Sequence, residues 1–426
     1  MHRNPHPISR REAISRFTLA TGAIATSTKA AQPEPPPAPG LPGLPEGTNR
    51  ESHWEQWRAQ QFLLPEDRIF LNNGSLGITP RPVLAAMRHY LEEAAALAMP
   101  DVPRWGYETL EAERSEMAAF LGCPMETLAF THNCTEAMSL IANGLDLKPG
   151  DEVLLTDQEH GSGIQCWKLK EARVGITVRE IKIPVQPTDP NDLAGPLIDS
   201  IGPRTKVISF SGITTKTGLI LPSQAICQQA RERNVITVLD GAHMNGQIPV
   251  NLEEIGCDYF AGSPHKWLFA PAGCGLLYGR GDRLDQLHPT VVTGGWDNKS
   301  GLRAARFMMV GTNNRVTIEG MMAGLRFLRG LGEAAAYQRL QDLARHARTL
   351  ATQRDYLDII TPADPRFYQA MVTVRFKPED MTPLMDALKA QQFVVLGGRR
   401  FRISCHVHTR KRDLDRFFSI CDTVFG

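Results

Sequence analysis

Two residues set the chemistry open to this chain. Lys266 stands in the stretch Ala261-Gly262-Ser263-Pro264-His265-Lys266-Trp267, just after the apolar pair Tyr259 and Phe260. Upstream, the β-branched run 235–240 reads as a buried strand ending in Asp240, followed by Gly241, Ala242 and His243. A lysine amine forms an imine with an aldehyde, and a strand-end carboxylate keeps a pyridine nitrogen protonated. That is the pair pyridoxal phosphate requires: Lys266 holds the aldehyde as a Schiff base, and Asp240 makes the ring an electron acceptor. To accept a proton Lys266 must be neutral, which burial and neighbouring cations favour. Taken singly, either residue is ordinary, because most lysines are solvated and buried charges are rare without partners.

The surrounding motifs change that balance. Leu239-Asp240-Gly241-Ala242-His243, the run Cys257-Asp258-Tyr259-Phe260 leading into the Lys266 stretch, and Ala272-Gly273-Cys274-Gly275-Leu276-Leu277-Tyr278 follow one another in this order. Together they resemble the class V aminotransferase superfamily, in particular its isopenicillin-N-epimerase-like or cysteine-desulfurase-like members. The likeness runs from about Ile69 to the C-terminus. It is specific for binding pyridoxal phosphate and much less so for the reaction.

A phosphate needs converging N–H donors, which the helix start at Asn133-Cys134-Thr135-Glu136 can supply. The resemblance implies that Cys134 and Thr135 hold the cofactor phosphate, with Ser263 and His265 completing the cup; Cys134 stands where relatives often carry a hydroxyl. It places His160 against the pyridine face, where it could also move protons, and sets His243 and Thr215 near the phenolic oxygen. Thr312, in Val310-Gly311-Thr312-Asn313, would reach a partner subunit's phosphate, implying a homodimer with composite sites. Arg402 would clamp the substrate α-carboxylate, with Arg399 and Arg400 as competitors; strand alternation puts Arg400 and Arg402 on one face. Asn73, in the turn-rich loop 72–77, would lie at the active-site entrance on the substrate side. Relatives often continue the arginine motif with Tyr-Asn-Thr, whereas this chain has Val407-His408-Thr409. Trp105, Tyr107 and Trp296 are candidates for a side-chain pocket.

Positioning these groups takes a scaffold that alternates strand and helix. Strands are expected at 68–71, Leu128–Thr131, Glu152–Thr156, 177–183, 206–211, 235–240 and 275–278, with helices at 54–62, 82–98, 108–121, 134–145, 166–174 and 222–233. This pattern implies an α/β fold with a mainly parallel sheet covered by helices, and the candidate groups fall in loops after strands. Beyond Gly311, helices at 316–331 and 333–353, then strands at 370–376 and 401–404 with helices at 381–391 and 411–425, make a smaller α+β unit. The resemblance assigns the whole to fold-type I. The expected division is a signal segment (1–31), a linker (32–50), a large cofactor-binding domain (51–315) and a helical connection with the small domain (316–426).

The 426 residues carry 42% hydrophobic and 22% charged side chains with a formal net charge of +1. That balance suits a globular enzyme and argues against nucleic acid as a partner. The eight cysteines show neither C-x-x-C nor zinc-ligand spacing, so no metal and no disulfide framework is expected. Ser9-Arg10-Arg11, a weakly apolar stretch and small residues near Ala30 match a twin-arginine export signal, although Ala13, Ile14 and Arg16 depart from its usual form. The corresponding expectation is an extracytoplasmic or periplasmic protein exported by the twin-arginine machinery, the alternative being a disordered basic tail on a cytoplasmic one. The apolar run is too short for a membrane anchor. Pro35-Pro36-Pro37, Pro39, Pro42 and Pro45 mark a semi-rigid linker.

The substrate is expected to be an α-amino acid or analogue, and the reaction transamination or epimerisation. The alternative is C–S lyase or cysteine-desulfurase-like chemistry, and a third reading is a catalytically inactive binding protein. Persulfide relay is disfavoured: no cysteine lies between Cys274 and Cys405, and alternation turns Cys405 away from Arg402.

Overall fold

The computed structural model describes residues 50–97 and 105–426. The expected export signal lies outside them, as does the expected linker except its last residue, Arg50, which opens the helix Arg50–Gln61. Among the described residues no helix is long and apolar enough to cross a membrane.

Thirteen strands are present among the described residues: β1 (Ile69–Phe70), β2 (Leu128–Thr131), β3 (Glu152–Thr156), β4 (Thr177–Ile181), β5 (Thr205–Ser211), β6 (Ile236–Asp240), β7 (Tyr259–Gly262), β8 (Gly275–Gly279), β9 (Leu357–Ile359), β10 (Met371–Phe376), β11 (Phe393–Val394), β12 (Leu396–Gly397) and β13 (Arg400–Ser404). Seven of them form the central sheet in the order β2-β8-β7-β6-β5-β3-β4. β3, β4, β5, β6 and β7 pair in parallel, while β8 runs antiparallel to both β7 and β2. The middle strands are almost wholly buried because helices cover both faces; β7 and β8 are buried along their whole length. Parallel pairing gathers the carboxyl ends of β3, β5, β6 and β7 along one edge, where open sheets of this kind bind their ligands. β8 enters the sheet from that same edge.

The second sheet is antiparallel, in the order β12-β13-β10-β9. The helices Glu333–Thr352, Thr382–Ala390 and Lys411–Phe425 close its core around Leu343, Phe376, Leu384, Phe401 and Phe417. The amino-terminal segment belongs to this unit in space: β1 pairs in parallel with β11, and Ile69 and Leu71 enter the same core. The helix Arg315–Leu331 instead packs into the core of the large sheet through Ile318, Met321 and Leu325.

Several elements differ from the sequence reading. Tyr259 and Phe260 open the full strand β7, and a helix spans Asn191–Asp199, where Gly195 and Pro196 hide the periodicity. The helix at 166–174 begins earlier, at Gly161, because the His160 ring accepts from the Ser162 N–H and caps it.

Candidate active site

Lys266 lies in the one-turn helix Pro264–Trp267 that follows β7. Two segments, the loop 72–77 and the turn after β13, hold this turn by its carbonyls. Gly77 N–H donates to the His265 carbonyl at 2.8 Å, Asn73 Nδ2 to that of Lys266 at 2.7 Å, and the His406 ring meets that of Trp267 at 3.2 Å. A side chain at position 77 would bring its Cβ within 2.4 Å of the Lys266 carbonyl oxygen, so glycine is required there. Asn73 is thereby corrected: it is 1% exposed, its carboxamide faces the lysine backbone and His408, and it does not line the cavity. Its neighbours Asn72 and Ser75 instead accept from Arg402. His406 and His408 stack at 5.5 Å in the apolar core behind the lysine, where burial pushes His406 down to about 4.

Lys266 Nζ sits 3.2 Å from His243 Nε2. Burial lowers the lysine pKa, with Asp240 opposing. Trp267 Nε1 donates to His243 Nδ1 at 3.2 Å, which fixes Nδ1 as an acceptor and leaves the proton of the neutral imidazole on Nε2. From there it serves Thr215 Oγ1, also at 3.2 Å, or the amine. Burial, then the charge of Lys266, holds His243 well below the usual histidine range, in keeping with this neutral form.

Asp240 ends β6 and is 6% exposed. One oxygen, Oδ1, accepts from Ala242 N–H at 2.9 Å and from the Cys134 thiol at 3.3 Å. Burial and the nearby carboxylate raise the Cys134 pKa well above the usual thiol value, so this group is a donor and not a thiolate. Behind Asp240 lies Glu159, which accepts from Ser211 Oγ at 2.6 Å and from Thr156 Oγ1. Burial raises its carboxyl to about 7 against the two hydroxyl bonds, with Asp240 adding to the rise. His160, the next residue, is exposed and lines the cavity; burial and then Lys266 lower its pKa.

At the other end, Asn133 caps the helix Cys134–Gly144 through the Glu136 N–H, and Cys134 N–H meets Ser263 Oγ at 3.3 Å. Thr135 stands exposed at this helix start and lines the cavity. His265 Nδ1 donates to the Cys274 carbonyl at the entry to β8, leaving Nε2 for a ligand. Cys134, Thr135, Ser263 and His265 all line the same cavity.

Arg402, on β13, closes the cavity opposite the large sheet. It is 6% exposed and reaches only neutral acceptors: Nη1 meets the Thr215 carbonyl and Oγ1 at 3.1 and 3.0 Å, Nη2 meets Asn72 Oδ1 and Ser75 Oγ at 3.1 and 3.0 Å. Burial lowers it to about 10. A Cβ at Gly74 would stand 3.1 Å from the guanidinium carbon, so this approach depends on glycine.

Of these groups, Asp240, His243, Lys266 and Arg402, with His160 and the donors at the helix start, line one cavity of about 630 Å³, within the usual range for small-molecule sites. Thr312 is exposed and does not line it within its own chain; the flanking Gly311 and Asn313 bond to the backbone of Gly106 and Trp105. Trp105 is buried in the core, and Tyr107 and Trp296 are exposed outside the cavity. Asn72, Ser75, Glu159 and Trp267 escaped the sequence reading, since their roles depend on partners distant in the chain.

The arrangement fits pyridoxal phosphate. A buried carboxylate, an amine of lowered basicity and a helix start with hydroxyl and imidazole donors enclose a single space. The fold and site define an α/β enzyme of fold-type I. The chain belongs to the Aminotransferase class-V family, whose model matches residues 69–417. It is 32% identical to an isopenicillin N epimerase of Streptomyces clavuligerus over 393 residues, covering 88% of this chain and 98% of that one. A probable cysteine desulfurase of Pseudomonas aeruginosa is 29% identical over 401 residues, covering 86% and 97%. Among solved structures, a mutant of C-DES with glycine covalently linked to its PLP cofactor superposes with a TM-score of 0.76 at 25% identity, covering 86% and 99%. The protein is a PLP-dependent enzyme of this family.

Proposed function

We propose that this enzyme moves a proton at the Cα of an amino acid, as an epimerase does, and does not relay sulfur through a cysteine. The observation that carries the reading is Arg402: a buried guanidinium with only neutral partners, facing the cavity that holds Lys266. A carboxylate is its natural complement, and a planar fork fixes that carboxylate in one orientation.

Pyridoxal phosphate, when bound, supplies an aldehyde for the amine and a ring that takes up electrons released at Cα. Arg402 orients the substrate through its carboxylate. Lys266, whose basicity burial lowers, accepts the Cα proton at Nζ and returns it. His243, with its proton on Nε2, is placed to give or stabilise a proton beside that nitrogen. Asp240 would hold the ring nitrogen, and His160, which lines the same cavity, would border the ring.

Two isopenicillin N epimerases, of Streptomyces clavuligerus and Amycolatopsis lactamdurans, are 32% and 33% identical to this chain, which favours return of the proton over loss of the amine. Cys405 argues against persulfide relay: it is wholly buried in the core of the smaller sheet, where burial pushes its thiol up to about 12. A C–S lyase reaction stays compatible with the site because it needs the same lysine, and a solved relative is described as a cystine C–S lyase.

The test combines trapping and exchange. Borohydride should fix the cofactor on Lys266 and leave Lys266→Ala unlabelled, while single-enantiomer amino acids should exchange their Cα proton for deuterium and lose optical activity. Sulfide release from cysteine with a cysteine persulfide required for turnover, and no Cα exchange, would overturn the reading. Pairing of subunits through the loop at Thr312 and export directed by Arg10 and Arg11 belong to the same proposal. A fully active monomer in sedimentation, or continued export after both arginines become lysine, would remove them.

A further inference from the structure

We propose that Arg400 and Lys216 form a second anion subsite at the cavity mouth, which takes the distal carboxylate of an α-amino acid with an acidic side chain. The inference rests on Arg402 as the clamp for the α-carboxylate.

Charge balance within the cavity points there first. Among its lining residues the only carboxylate is Asp240, against the cations Lys266, Lys216, Arg400 and Arg402. Asp240 answers the ring nitrogen, Lys266 the aldehyde and Arg402 the α-carboxylate; the phosphate has the helix start. Arg400 and Lys216 are left over.

The strand geometry sharpens the point. Arg400 and Arg402 are two residues apart on β13 and share a face, about 7 Å from one another along the strand. Arg400 stands directly across from Arg375 in the β10–β13 register, and like charges in that position are unfavourable. Its basic neighbours have acids of their own: Arg375 pairs with Asp358 at 3.2 Å and Arg399 with Glu379 at 3.7 Å. Arg400 has no carboxylate partner among the described residues. Lys216 lines the same cavity and is held near this face, since its carbonyl accepts at 3.3 Å from Oγ1 of Thr373, the residue across from Arg402 on β10, and its ammonium donates to the Asp157 carbonyl at 2.9 Å. A carboxylate several bonds beyond Cα would relieve both cations, and its spacing from the α-carboxylate would match that of the two arginines.

The experiment titrates the PLP-loaded enzyme with glutamate, 2-aminoadipate, glutamine and norleucine, both enantiomers of each, and follows the absorbance of the bound cofactor. Acidic amino acids should bind about five- to tenfold more tightly than neutral ones of equal length, as partly solvated ion pairs allow. Arg400→Gln should bring the acidic-to-neutral ratio close to one, and Lys216→Gln should lower it less. Arg402→Gln should weaken every amino acid. Equal binding of glutamate and glutamine, or a preference that survives in the Arg400→Gln/Lys216→Gln double variant, would overturn the subsite while leaving the clamp intact. Absence of any spectral response to any amino acid would take the clamp reading down as well.

Discussion

The cavity has two walls assembled over different distances along the chain. The cofactor wall comes from consecutive strands of one sheet: Asp240 ends β6, while Ser263, His265 and Lys266 follow β7. The substrate wall is a composite: Arg402 binds Thr215 across 187 positions and Asn72 across 330. A strand-end residue is aimed by local geometry, so the first wall tolerates change elsewhere. Arg402 is aimed by four neutral acceptors from two distant loops, so on the reading proposed above specificity belongs to the second wall.

If the walls are separable, variants should split binding from turnover. The largest effect is expected from Asp240→Asn, with the cofactor still bound but kcat down about 10²–10³-fold, the usual scale for a lost electrostatic partner, and KM little moved. Steady-state kinetics with cofactor absorbance checks this, and a variant that loses its cofactor would merge binding and chemistry on that wall.

Arg402→Gln should act in the opposite sense. kcat/KM should fall about 10²-fold, as for truncation of a buried charge partner, mainly through KM. Borohydride trapping at Lys266 should be unchanged. Loss of trapping in this variant would show that the walls are not independent.

A smaller effect tests how deep the cofactor wall extends. The Glu159 carboxyl is raised from 4.5 to about 7, so the folded protein keeps a proton that the unfolded chain gives up. The stability it contributes is complete below about 4.5 and is lost as pH climbs through about 7. Glu159→Gln should therefore come close to the parent near pH 4.5 and exceed it by roughly 3 kcal/mol at pH 8 in denaturant titrations, the scale of about two and a half pKa units. An unchanged difference across this interval would show that the carboxyl does not titrate on folding.

The same division explains what the sequence conveys. β6 and its carboxylate were readable because a buried parallel strand must be apolar and must end where polarity returns, and Lys266 because its motif is contiguous. Asn72 and Asn73 are chemically identical neighbours; which one faces Arg402 is settled by the pairing of β1 with β11, a contact across more than 300 positions that no local pattern encodes. The tautomer of His243 likewise depends on Trp267, whose sequence signal is merely that of a core aromatic. Helix Asn191–Asp199 was missed because tertiary packing of Leu193, Leu197 and Ile198 outweighs the low propensity of Gly195 and Pro196.

The clamp on the lysine turn also ties the amine to both ends of the described chain. Its contacts join Asn73 to Lys266 across 193 positions and His406 to Trp267 across 139. Closing contacts of such separation carries a loop-closure cost that local helices do not. Asp240 keeps its place at the end of β6 without them, whereas the lysine turn is held from outside the central sheet. Loss of the C-terminal turn should therefore leave the carboxylate in position and loosen the aim of the amine.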